Sequence, residues 1–99
     1  MIVFVRTADI ARGKTGDAVA FAHKVAGYIK EKQGVEVQIL MPVAGNPLRV
    51  AWTARYDGLA DVEDMLGKLM GDQDYMNMVK EGSDNFIEGS VNDQLWIAI

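Results

Sequence analysis

Three arginines, two tryptophans and one histidine are the residues of this chain best equipped for chemistry: Arg6, Arg49, Arg55, Trp52, Trp96 and His23. An arginine fork can hold a carboxylate, a phosphate or an enolate through two parallel hydrogen bonds. The same fork is also satisfied by an acid across a sheet, such as Glu36. Indole rings serve either as ligand platforms or as core. His23 would be a general base if it reached a cleft. It falls about 140° from Ala18 on a helical wheel, off the apolar stripe, and so reads as a surface imidazole. Asp57, Asp61, Glu63, Asp64, Asp72 and Asp74 spread around a solvated face. They form neither an acid–base pair nor a calcium loop. The stretch ARGKTG at 11–16 lacks the Walker spacing and offers at most a helix end for an anion. Arg6, Gln38, Trp52, Thr53, Arg55 and Trp96 are the candidate ligand contacts, and no catalytic residue, metal ligand or cofactor is assigned.

Composition narrows the classes. The chain has 99 residues, 49% of them hydrophobic, with a net charge of -4. That length suits one domain spanning 1–99, and such a domain buries about two thirds of its unfolded surface. An acidic balance argues against nucleic acid, whose phosphates require a basic face. With no cysteine there is no disulfide, thiol catalysis or thiolate-held metal. One histidine excludes a zinc site with two imidazole ligands from a single chain. No apolar run approaches the roughly 18 residues of a membrane span, and no signal peptide is recognised at the start. The expectation is a cytoplasmic protein of bacterial type.

The elements that would position these residues follow from periodicity. IVFVRT, 2–7, is β-branched and aromatic and reads as a strand. Thr15 is the expected N-cap of a helix in which Ala18, Ala22, Val25 and Ile29 recur, with Gly34 ending it. VEVQILMP then alternates as a second strand, with Val35, Val37, Ile39 and Met41 on one face and Glu36, Gln38 and Leu40 on the other. A Gly/Asn/Pro turn leads into the strand 49–56. Beyond Tyr56 the period becomes 3.6: Leu59, Val62, Leu66 and Leu69 form a stripe widened by Met65 and Met70. Gly71 should break this helix, with Asp72 capping a continuation through about Phe86. SVNDQLWIAI supplies a last strand.

Strand, helix, strand, strand, helix, strand is the split βαβ, or ferredoxin-like, order. Both helices then lie on one face of a four-stranded antiparallel sheet. The other face lacks cover from its own chain. Trp96, or else Leu95 with Ile97, would stay exposed there unless a second molecule packs on it, and a two-fold homodimer is the expected solution.

The layout resembles the dimeric α+β barrel superfamily, whose protomers pack sheet against sheet. It includes NIPSNAP-like proteins, antibiotic-biosynthesis monooxygenases, stress-responsive A/B barrel proteins and EthD-like proteins. GKTGDAVAFAHKVAGYIKEKQG (13–34) looks like the first helix of NIPSNAP-like members, and WTARYDGLADVEDMLGKLMGDQDY (52–75) like their strand, turn, helix and acidic break. Here the break reads DQDY, without the proline. The resemblance implies the fold and the dimer. The Asn, Trp and His trio of heme-degrading relatives has no counterpart here, so heme is not carried over. The monooxygenases' pocket residues find no residue-by-residue match either. Three readings follow: a homodimer binding a small apolar or anionic ligand between sheet and helices, a cofactor-independent monooxygenase or isomerase, or a structural or regulatory dimer.

Overall fold

The computed structural model describes residues 1–99. The chain runs β1 (Ile2–Asp9), α1 (Thr15–Gln33), β2 (Gln38–Leu40), β3 (Arg49–Tyr56), α2 (Leu59–Met70), α3 (Gln73–Gly82) and β4 (Asn92–Ile97), with one 3-10 turn at Ser83–Asn85. The four strands form one sheet in the order β2-β3-β1-β4, every pair antiparallel. This is the ferredoxin-like arrangement expected from the element order. None of the helices is long and apolar enough to cross a membrane.

Register assigns each strand residue to a face. Ile2, Phe4, Arg6 and Ala8 of β1 stand opposite Tyr56, Ala54, Trp52 and Val50 of β3. On the other side of β1, Ile97, Leu95 and Asp93 of β4 stand opposite Ile2, Phe4 and Arg6. Successive side chains alternate, so these residues share one face, and Phe4, Ala8, Val50, Ala54 and Tyr56 are buried against the helices. Val3, Val5, Thr7, Ala51, Thr53, Arg55, Gln94 and Trp96 share the opposite face, joined at the β2 edge by Gln38 and Leu40.

Helix α1 buries the predicted stripe of Ala18, Ala22, Val25 and Ile29. Its two alanines pack with Ile10 and Val50, where small side chains let the helix approach the sheet closely. The larger Val25 and Ile29 join Phe4, Tyr56, Val62, Met65, Leu69 and Tyr75 in the main core. Thr15 is not the cap: it is already helical, Lys14 takes the cap position, and the Lys14 carbonyl accepts from Ala18 N–H at 2.8 Å. Gly34 ends the helix as expected, left-handed at φ 69°, its N–H donating to the Lys30 carbonyl.

Three other expectations are corrected. Strand β2 has only three residues, because Val35 and Val37 pack into the core and Glu36 pairs with Lys30 of α1. Leu59 and Met70 are exposed, since Val62, Met65 and Leu69 alone define the buried face of α2. Helix α3 stops at Gly82 rather than running to Phe86. The break at Gly71 is present, and its cause is Asp72. With extended backbone, Asp72 accepts from Tyr75 N–H at 3.1 Å through Oδ1 and from the Tyr28 hydroxyl at 2.6 Å through Oδ2. One carboxylate thus starts α3 and ties it to α1.

Candidate functional site

Helices α1, α2 and α3 do not fill the space above the sheet. A cavity of about 540 Å³ remains, within the size range of small-molecule sites. Its floor is Phe4, Arg6, Ala8, Trp52, Ala54 and Tyr56, and its roof includes Val25, Ile29, Met65, Leu69, Tyr75 and Val79. Of its 24 lining residues 17 are hydrophobic, so it can take apolar surface out of water.

Two aromatic contacts build one wall. The Phe86 ring lies 5.9 Å from Trp52 and 5.6 Å from Phe21, centroid to centroid. Trp52 donates its indole N–H to the Ala22 carbonyl at 3.4 Å, which fixes the ring against α1. Gly82 leaves room for this wall, because a Cβ there would overlap the Phe21 ring and force it to shift.

The polar content is small. Arg6 donates from Nε to Asp93 Oδ1 at 2.7 Å and from Nη2 to Asp93 Oδ2 at 2.8 Å, a bidentate cross-strand pair. The Asp93 carboxylate raises the Arg6 pKa above its ordinary value, chiefly by accepting that hydrogen bond. Arg6 also faces the Tyr75 hydroxyl. Burial pushes the Tyr75 phenol up, and Arg6 partly opposes the rise. Tyr56 is raised by burial, and its hydroxyl is the single buried side-chain polar atom without a hydrogen-bond partner.

The six expected ligand contacts do not form one site. Arg6 and Trp52 share the cavity. Thr53 borders it along the β3 main chain, but register puts its side chain on the opposite face with Val5 and Gln38. Arg55 and Trp96 lie on that opposite face as well, flanking Val3. Trp96 is 60% exposed, with its indole N–H on Gln94 Oε1 at 3.1 Å. Arg55 is exposed and meets only Met1 Sδ at 3.5 Å. Arg49 pairs with Asp9 at 2.7 Å, so neither it nor Arg6 uses Glu36. His23 is on the exposed side of α1, as its wheel position indicates.

Sequence reasoning missed Tyr75 and Asp93. Asp93 carries a readable signal: it precedes Leu95 by two residues and so shares its face. Once β4 is laid antiparallel to β1, that face brings it opposite Arg6. Tyr75 carries no such signal, since its helical spacing marks it only as an apolar position.

No protein-family profile matches the chain, and no curated protein is similar to it in sequence. Solved structures are similar in fold. A NIPSNAP domain protein from Burkholderia xenovorans superposes with a TM-score of 0.83 at 16% identity, over 100% of this chain and 95% of that one. A NIPSNAP family protein from Agrobacterium tumefaciens gives 0.78 at 19% identity, over 99% of this chain and 85% of that one. A protein from Nitrosomonas europaea, classed by name with the antibiotic biosynthesis monooxygenases, gives 0.74 at 16%, over 100% and 99%. Identities this low establish architecture and leave the chemistry open. The chain has the ferredoxin-like α+β fold that NIPSNAP proteins share with the antibiotic biosynthesis monooxygenases.

Proposed function

We propose that the protein is a homodimeric binding protein whose protomers each hold a small apolar ligand between sheet and helices. The observation that carries this reading is the cavity itself, with its largely hydrophobic lining. Dimerisation is supported by the bare sheet face, where Leu40 and Trp96 are 43% and 60% exposed beside half-buried Val3, Val5 and Ala51. Monomeric proteins seldom leave such a patch in water. The likeness to superfamily folds supports the same arrangement.

A cofactor-independent oxygenase or isomerase is the second reading, favoured by Arg6 and Tyr75 meeting in one cavity. In it they would stabilise an enolate-like anion. Against it, the Arg6 charge is already met by Asp93, and Arg55 faces away.

The test uses the neutral dye N-phenyl-1-naphthylamine. Saturable fluorescence enhancement, one dye per protomer, is expected for the native protein. Val79→Trp, which fills the cavity from half-buried α3, should abolish it while the circular dichroism spectrum is retained. No saturable enhancement, or enhancement unchanged by Val79→Trp, contradicts the binding reading.

A further inference from the structure

The charges around the cavity decide what kind of head group it accepts. Arg6 is the only cationic side chain in the lining; no lysine or histidine joins it. Its Nε and Nη2 are both spent on Asp93, which leaves Nη1 without a hydrogen bond. The other charged lining residues are acids, Asp84 and Glu88, exposed at the mouth on the segment after α3. An entering carboxylate would pass two like charges and then compete with Asp93 for the fork. Behind the mouth, the polar groups left for a ligand are Arg6 Nη1 and the hydroxyls of Tyr75 and Tyr56, the Tyr56 hydroxyl having no partner at all. No unpaired acid lies there to hold a cation.

We propose that the cavity selects a neutral apolar molecule bearing one hydrogen-bond acceptor of carbonyl type, seated on Arg6 Nη1 and the Tyr75 hydroxyl. Asp93 is the specificity determinant: by neutralising Arg6 it turns an anion site into a site for an uncharged acceptor. This rests on the apolar-ligand reading above and deepens it. An acceptor head gains a charge-assisted bond there without the desolvation cost of a carboxylate.

Four probes of one skeleton separate the possibilities: naphthalene, 2-acetylnaphthalene, 2-naphthoate and 2-naphthylmethylammonium, titrated by calorimetry at neutral pH. The expected order places 2-acetylnaphthalene first, at least about tenfold tighter than 2-naphthoate, because the carboxylate loses hydration without gaining a free cation. Tyr75→Phe should weaken 2-acetylnaphthalene and leave naphthalene unchanged. Asp93→Asn should reverse the preference, raising 2-naphthoate above the ketone. Since Arg6 and Asp93 are both partly exposed and Asp93 lies on the edge strand β4, Asp93→Asn is expected to fold. Tyr75→Phe supplies an independent readout. If naphthalene binds but 2-naphthoate or the ammonium outcompetes the ketone on the native protein, the head-group inference is overturned and the apolar cavity survives. If none of the four binds, the cavity reading fails and this inference with it.

Discussion

The two faces of the sheet are built from the same strands and solve opposite problems. On the helix side, Phe4, Ala54 and Tyr56 are buried and Arg6 is held by a carboxylate. On the bare side, Val3, Val5, Ala51 and Trp96 stand with little above them, and Arg55 has no acid partner. Strict alternation forces both faces to exist, because each inward residue is followed by an outward one. Three helices of one chain shelter one face and even leave a hollow in it. They also fall short of β4, where Leu95 and Ile97 point to the helix side yet remain 50% and 72% exposed. What a residue experiences is therefore set by which element reaches it, more than by its polarity.

The largest expected contrast comes from truncating each face in turn. Ile29→Ala opens a void in the sheltered core and should cost about 2–4 kcal/mol in urea unfolding. On the bare face, Val5→Asp should leave the circular dichroism spectrum intact and act on association instead. It should weaken the proposed dimer at least about tenfold, some 1.4 kcal/mol, by sedimentation, because a carboxylate would be buried unpaired against the apolar face of a second copy. Val5→Asp that unfolds the chain, or leaves association untouched, would erase the distinction between the faces.

A smaller effect lies at the Gly71 break. The Asp72 carboxylate holds the Tyr28 phenol proton and pushes its pKa up to about 12, while Tyr28 keeps the Asp72 carboxyl below its ordinary value. A raised folded pKa gives stability that is complete below the unfolded tyrosine value of about 10 and lost as pH rises from there to about 12. A lowered carboxyl works in the other direction. Its contribution is present above the unfolded aspartate value and lost as pH falls through the folded one. Stability should thus decline at both extremes, and Tyr28→Phe should flatten the alkaline limb of a melting-temperature profile. An alkaline limb identical in Tyr28→Phe would show that the hydrogen bond to Asp72 plays no part in it.

The smallest effect is the Arg6–Asp93 pair. Its partners are 32% and 40% exposed, so solvent screens much of the interaction. A double-mutant cycle should return about 0.5–1 kcal/mol. A coupling several times larger would make this pair a structural clamp as much as a selector.

Much of the architecture was legible in the alternation of 2–7 and 49–56, in the stripe Ala18, Ala22, Val25 and Ile29, and in Gly34, because each rests on a local rule. The length of β2 was not legible. Whether Val35 and Val37 join a ladder or a helix depends on where α1 ends in space. The candidate site was half legible. Strand parity grouped Arg6 with Phe4 and grouped Trp52 with Val50, Ala54 and Tyr56. It could not say which parity faced the helices, so Gln38, Thr53, Arg55 and Trp96 were gathered into a site to which their side chains do not point. Tyr75 escaped because its hydroxyl matters only once α3 is laid over β1.

Sedimentation equilibrium of the native protein at micromolar concentration tests the central claim, that a second copy shelters the bare face, most directly. The account predicts a mass twice that of the 10.9 kDa protomer. A mass of one protomer throughout that range, with Trp96 fully open to an aqueous quencher, would contradict it.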